Sequence, residues 1–302
     1  MKIAETHTEA IDSRYAEIDA WATGEMLAAM VDGQLAAVEA VKPALPALAR
    51  AVDDAAQALE EDGRIVYVGA GTSARIGVQD GAELVPTFNW PADRLLFLIA
   101  GGTAALTKSI EVAEDSETDG AHAIVEAKIG PHDVVIGVAA SGTTPFTVGA
   151  LRAAREAGAV SIGVASNPHA PLLQAVKHAI LTETGSEVIA GSTRMKAGTA
   201  QKVVLNLFST AVMVRLGRVY RGMMVEMSAT NAKLRVRAAA IVREVARCPP
   251  DAAARFVDDA QGEVKLAILL ARGLPAAEAQ TLLHAHRGHL RAAIAALDAN
   301  HA

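Results

Sequence analysis

Between residues 64 and 182, five short apolar runs alternate with stretches of helical periodicity, and few folds satisfy that rhythm. The runs are Ile65 to Val68, Leu95 to Ile99, Val134 to Val138, Val160 to Val164 and Ala179 to Leu181. Each is too short for an ordinary helix and gives way to small residues that open a helical segment. This alternation predicts βαβ units and an α/β, doubly wound architecture with a five-stranded parallel sheet flanked by helices. Strands that are apolar throughout must be covered on both faces, and ligands then collect outside their carboxyl ends. Chemistry is expected in the residues just after each run.

The flanking segments read as helices. Met26, Met30, Leu35 and Val38, then Leu45, Leu48, Val52 and Leu59, predict two helices separated by Pro43 and Pro46. Residues 197–216 form a long helix with Val204, Leu207, Phe208, Ala211 and Val212 on one stripe, closed by Gly217. Beyond about Arg235 the strand signals vanish, and Pro249, Pro250, Gly273 and Pro275 punctuate short amphipathic helices. The expected organisation is an N-terminal helical segment (1–44), an α/β domain (45–234) and a small all-helical C-terminal domain (235–302).

Composition narrows the function. Aromatic residues are only 3% of 302, so Ala, Val, Leu and Ile must build the core. A net charge of −6 with both signs interspersed offers no basic surface, so neither nucleic acid nor an anionic membrane is an expected partner. No apolar stretch approaches the ~20 residues of a membrane span. The single cysteine, Cys248, cannot form an intramolecular disulfide, and the polar, acidic start lacks a secretory signal, so a cytoplasmic location is expected.

Three clusters could hold an anion. The first run leads into Gly71, Thr72 and Ser73, whose backbone N–H groups and hydroxyls could bind phosphate at a helix start. Arg75 and Ile76 stand where a dinucleotide fingerprint needs its third glycine, and no Gly-Lys-Ser/Thr follows, so a nucleotide cofactor is not expected. The third run ends in Ser141, Gly142, Thr143 and Thr144, again hydroxyls and glycine. Ser192, Thr193, Arg194 and Lys196 precede the long helix and add two cations. Tight turns, helix caps and solvated charges are the plain alternatives for each cluster. Together the clusters point to a small monophosphate.

Among 34 acidic residues, two stand out by context. Glu83 precedes Leu84, Val85 and Pro86, an apolar setting that would favour a protonated carboxyl and a proton donor. Glu114 follows what reads as a helix after Gly101 and Gly102, whose negative end would oppose its charge. His284, His286 and His289 are poorly spaced for a shared metal on one helix face, and no metal is expected.

At these motifs the chain resembles the N-acetylmuramic acid 6-phosphate etherases. The resemblance is carried by VGAGTS at 68–73, DGAE at 80–83, PTF at 86–88, LIAGG at 98–102, AEDS at 113–116, AASG at 139–142, SNP at 166–168 and RMKAGTAQK at 194–202. It covers residues 45–235 most strongly. It implies a homodimeric sugar isomerase (SIS) domain with a small helical C-terminal domain, acting without metal or cofactor. The implied reaction cleaves a lactyl ether to GlcNAc 6-phosphate and D-lactate in cell-wall recycling, with Glu83 as proton donor and Glu114 as second carboxylate. The departures are Thr8 to Asp12 and Val31 to Gln34 near the start, Ala74 in the first loop, and Arg287 between His286 and Gly288. An aldose–ketose isomerase, needing one base instead of two, and a non-catalytic sugar-phosphate sensor are the competing readings.

Overall fold

The computed structural model describes residues 7–108, 110–229 and 231–300. The first six residues of the acidic start lie outside that range.

After three short 3-10 turns at His7–Glu9, Ser13–Tyr15 and Ile18–Ala20 come two helices, α1 (Thr23–Glu39) and α2 (Leu45–Leu59), joined through a further 3-10 turn at Lys42–Ala44. Pro43 and Pro46 fall in opening turns, where a missing N–H leaves no hydrogen bond unmade. One stripe of α2 buries Leu48, Ala51, Val52, Ala55 and Leu59. In α1 only Gly33 and Ala37 are buried, and Leu27, Val31, Leu35 and Val38 face outward.

Five strands follow: β1 (Ile65–Gly69), β2 (Leu95–Ile99), β3 (Val134–Val138), β4 (Val160–Ala165) and β5 (His178–Leu181). They pair in parallel in the order β2-β1-β3-β4-β5. Every residue of β1, β3 and β4 is buried, which is why these strands read as unbroken apolar runs. The connecting helices are α3 (Gly71–Phe88), α4 (Glu117–Glu126), α5 (Pro145–Glu156), the short α6 (Pro171–Gln174) and the long α7 (Lys196–Arg215). The chain leaves β1 toward β2 on one side and returns to β3 on the other. The topological switch point therefore lies between β1 and β3.

The segment after β2 departs from expectation. In place of a helix ending near Glu114 there are two 3-10 turns, Thr103–Leu106 and Glu111–Asp115. Gly101 and Gly102 leave the strand at φ +79° and +68°, and Ser116 caps α4 by accepting the Asp119 N–H at 3.1 Å. Helix thus begins only beyond Glu114, and the helix end nearest to it is the positive one.

Two glycines let α4 and α5 cross in backbone contact. A Cβ on Gly120 would lie 2.0 Å from the Phe146 carbonyl oxygen, and one on Gly149 would lie 2.1 Å from that of Glu117.

At the amino end of the sheet, Asp133 receives the Arg64 guanidinium at 2.7 Å and the N–H groups of Arg64 and Gly130, each at 2.9 Å. Burial pushes its carboxyl upward, but Arg64 and the two N–H groups outweigh burial and hold it below its ordinary 3.8. A carboxyl depressed on folding contributes stability that is present above its unfolded pKa and lost as pH falls through the folded one. Wild-type stability should therefore fall as pH drops below about 4. Asp133→Asn should be less stable at pH 7 and flatten that acid limb in denaturant titrations; superimposable limbs would refute the assignment.

The chain divides into two compact units, one up to Ala82 and from Ala92 to Thr210, the other Glu83–Pro91 together with residues from Ala211 onward. The second contains α8 (Ala232–Ala246), α9 (Pro250–Asp259), α10 (Val264–Ala271), α11 (Ala276–Ala285) and α12 (Leu290–Asn300). Val242, Ala253, Val257, Ile268, Leu269 and Leu290 form its core. It also holds a hairpin absent from the sequence reading, β6 (Val219–Tyr220) with β7 (Met223–Met224). Arg221 and Gly222 at its tip both take positive φ, the mark of a tight hairpin turn. Arg218 donates to the Phe88 and Asn89 carbonyls at 2.7 and 2.9 Å, with its guanidinium 5.0 Å from the buried Trp90 ring. The nearly buried Lys265 pairs with Glu226 and donates to the Gly288 carbonyl at 2.6 Å.

Candidate active site

The two hydroxyl loops singled out in the sequence leave adjacent strands at the switch point. The first opens α3, with Gly71 at φ +53°, Thr72 partly exposed and Ser73 buried. The second follows β3. There the Ser141 hydroxyl accepts from the Thr143 N–H at 3.2 Å and pairs with the Thr143 hydroxyl at 3.0 Å. Gly142 sits at φ +70°, where a Cβ would meet those of Ala170 at 2.4 Å and Ala165 at 2.9 Å, so only glycine fits. Thr144 is the residue before α5.

A cleft of about 220 Å³ opens beside the first loop. Gly71, Thr72 and Arg75 from α3 line it together with Lys108, Ile110 and Glu114 from the β2–α4 connection. The structure thus brings Glu114 to the loop that begins α3. Arg75 donates from Nε to the Leu106 carbonyl at 2.9 Å and from Nη2 to that of Ala105 at 3.0 Å, bracing the connection that carries Lys108 and Glu114.

The orientation of α3 is set by a buried carboxylate. Asp80 accepts from the Tyr67 hydroxyl at 2.7 Å, the Ser209 hydroxyl at 3.2 Å and the Asn206 amide. Burial, reinforced by the Asp80 charge, pushes the Tyr67 hydroxyl well above its ordinary value, so Tyr67 remains a donor. Gly77 and Gly81 let the helix lie directly on the Tyr67 and Phe97 rings. Glu83 follows three residues after Asp80. The apolar setting expected for it is not found: Leu84 and Phe88 turn inward and Glu83 is exposed, because helical spacing places neighbours in sequence on different faces.

The third cluster is engaged differently. The N–H groups of Lys196 and Ala197, which open α7, both donate to the buried Glu187 carboxylate at 2.9 Å. The Lys196 ammonium donates to the Ser186 carbonyl at 2.8 Å. The chain's own carboxylate therefore occupies the site a helix start offers to an anion. Ser192 and Thr193 are partly buried in tight turns, and Arg194 is exposed. Gly198 carries this segment to the first loop, since a Cβ there would sit 3.8 Å from the Thr72 methyl.

The N-terminal segment also reaches the carboxyl edge. Thr8 is fully buried; its N–H donates to Asn167 Oδ1 at 3.3 Å, and Asn167 Nδ2 donates to its hydroxyl at 3.0 Å. Asn167 Nδ2 also lies 3.3 Å from the Ser141 carbonyl, which ties residues 7–9 to the second loop. The sequence reading missed this tie, the Asp80 network and Lys108. Only the Asn in SNP at 166–168 gave a hint of the first. Among the described residues no group of three or more His, Cys, Asp or Glu is placed to hold a metal ion.

A parallel sheet in this order, with hydroxyl-bearing loops at its switch point, defines a doubly wound domain of the kind that binds ligands at the carboxyl edge of its strands. The SIS domain family matches residues 102–211, and the glucokinase regulatory protein N-terminal SIS domain matches 47–155. A Bacteroides fragilis protein described as a phosphosugar isomerase involved in capsule formation shares the fold at a TM-score of 0.52 and 18% identity, over 67% of this chain and 95% of that one. An E. coli protein, solved as a complex, does so at 0.50 and 19%, over 68% and 95%. Relatives in sequence are more specific. The N-acetylmuramic acid 6-phosphate etherase of Deinococcus radiodurans is 49% identical over 285 residues, 94% of this chain and 93% of its own. That of Salmonella typhimurium is 46% identical over 279 residues, 92% and 94%. The chain belongs to the N-acetylmuramic acid 6-phosphate etherase family.

Proposed function

We propose that this protein is a carbon–oxygen lyase that cleaves the lactyl ether of N-acetylmuramic acid 6-phosphate, yielding GlcNAc 6-phosphate and D-lactate in the recycling of cell-wall amino sugars. The observation that carries the reading is the cleft joining Glu114 to the loop that opens α3, in a chain that matches named etherases along more than nine-tenths of its length.

The chemistry follows from the ring-opened sugar. Its C1 aldehyde acidifies the C2 hydrogen; a carboxylate removes that proton while a carboxylic acid protonates the C3 ether oxygen, and the C3–O bond breaks to release lactate. Water then adds across the new double bond, its oxygen to C3 and a proton to C2. Glu83 serves as the proton donor and Glu114 as the second carboxylate. The Gly71–Ser73 and Ser141–Thr144 loops hold the phosphate, which fixes the sugar without entering bond cleavage.

The active assembly is a homodimer. Support comes from α1, where Leu27, Val31, Leu35 and Val38 form an apolar stripe 42–62% exposed, a face that a second copy would cover. The enzyme works in the cytoplasm, as the lone Cys248 and its substrate class suggest. Among the described residues no helix is long and apolar enough to cross a membrane.

The test is a coupled D-lactate assay on the purified protein with N-acetylmuramic acid 6-phosphate. Stoichiometric lactate and GlcNAc 6-phosphate are expected. Sugar isomerisation without lactate would replace this reading with the isomerase one.

A further inference from the structure

We propose that Lys108 is the specificity determinant that recognises the lactyl carboxylate of the substrate, and so distinguishes a muramic acid 6-phosphate from a plain amino-sugar 6-phosphate. This rests on the etherase reading above and adds to it the residue that reads the group being removed.

The argument begins with charge. The substrate carries two anionic groups, a phosphate on C6 and a carboxylate on the lactyl arm at C3; the product sugar carries only the first. The phosphate is provided for by neutral donors, the N–H groups opening α3 and the hydroxyls of Thr72 and the Ser141–Thr144 loop. The carboxylate needs a partner of its own. It must also enter a cleft that already contains the carboxyl group of Glu114, so a bound lactyl arm brings like charges together unless a cation intervenes.

Two cationic residues line that cleft, Arg75 and Lys108. Arg75 is directed to the carbonyls of Ala105 and Leu106. Lys108 differs: its backbone N–H closes a turn onto the Ala104 carbonyl at 3.2 Å, while no side-chain partner is found for its ammonium among the described residues. Its backbone is held and its charge is available.

Position assigns the charge to the lactyl end. Lys108 and Glu114 come from the same connection, and Glu114 acts at C2 and C3, the carbons that bear and neighbour the ether. The opening of α3, which takes the C6 phosphate, is a different part of the cleft lining. An ammonium on the Glu114 side thus meets the C3 substituent. Arg75 sets its reach by bracing the two residues that precede Thr107.

The test is a comparison within one enzyme. Steady-state kcat/KM for N-acetylmuramic acid 6-phosphate and the inhibition constant of GlcNAc 6-phosphate are measured for wild type, Lys108→Met and Lys108→Arg. Lys108→Met should lower kcat/KM by about 10- to 100-fold, as loss of a charged hydrogen bond predicts. Its inhibition constant for GlcNAc 6-phosphate should stay within about two-fold of wild type, which also shows an intact site. Lys108→Arg should recover most of the loss. Equal weakening toward both ligands would place Lys108 on the shared phosphate and overturn the proposal, as would an unchanged kcat/KM. Failure of the etherase reading shows separately, as wild-type protein that releases no lactate at all.

Discussion

Replacing either Glu83 or Glu114 by glutamine should reduce lactate release by about three orders of magnitude, the middle of the range for losing one positioned proton-transfer group. Glutamine keeps the size of the side chain but cannot give up or take a proton at the carbons. Binding should survive, because the phosphate loops are untouched; the inhibition constant of GlcNAc 6-phosphate should move only a few-fold. The double variant should be little worse than either single one, since both groups serve the same two steps and their losses do not add. Incubating GlcNAc 6-phosphate with each variant in heavy water separates the roles. The variant lacking the group that handles the C2 proton should lose deuterium incorporation at C2, and the other should retain more of it. Turnover within ten-fold of wild type in either single variant would remove that glutamate from the mechanism.

A second large effect is expected far from the chemistry. Gly149→Ala should destabilise the protein by about 3 kcal/mol, at the upper end of ordinary overpacking, because the added methyl meets backbone and not a side chain that could rotate away. For a chain of this size that corresponds to a Tm lowered by on the order of 10 °C. Gly24→Ala is the control. It is the second residue of α1 with nothing within 4 Å of a built Cβ, so the same change should stabilise slightly, by about 0.5 kcal/mol or less, because helix propensity counts for less in a first turn than in an interior. Thermal unfolding of the two variants side by side checks both signs. An unchanged Tm for Gly149→Ala would mean that α4 and α5 do not cross as described.

Most of the α/β architecture was open to reading before any coordinates. The five strands fall within one residue of the apolar runs, and α7 covers the predicted long helix to within a residue at each end. Buried parallel strands advertise themselves because both faces need apolar side chains. The hydroxyl loops were legible for a related reason: in such sheets the residues after each strand face the ligand edge, so their position carried meaning before their contacts were known.

The environment of the candidate carboxylates was harder to read. Apolar neighbours in sequence suggested burial for Glu83, yet helical geometry sends Leu84 inward and Glu83 out. In sequence Glu114 reads as a helix-end residue, but paired glycines and the Ser116 cap delay helix until after it. The two-residue strands of the β6–β7 hairpin are too short to show a period. The Glu187 cap on α7 comes from nine and ten residues upstream through a loop, and Asp80 gathers donors from 13, 126 and 129 residues away.

What the residues alone settled is the layered sheet, the hydroxyl loops at its carboxyl edge and the family, because periodicity and local motifs are short-range properties written in consecutive positions. Folding in three dimensions settled which charges are already paired, which face of α3 meets solvent, why α4 and α5 need glycine, and that Lys108 shares a cleft with Glu114. Those outcomes depend on groups distant in sequence arriving within a few ångströms of one another, and no local pattern records that distance.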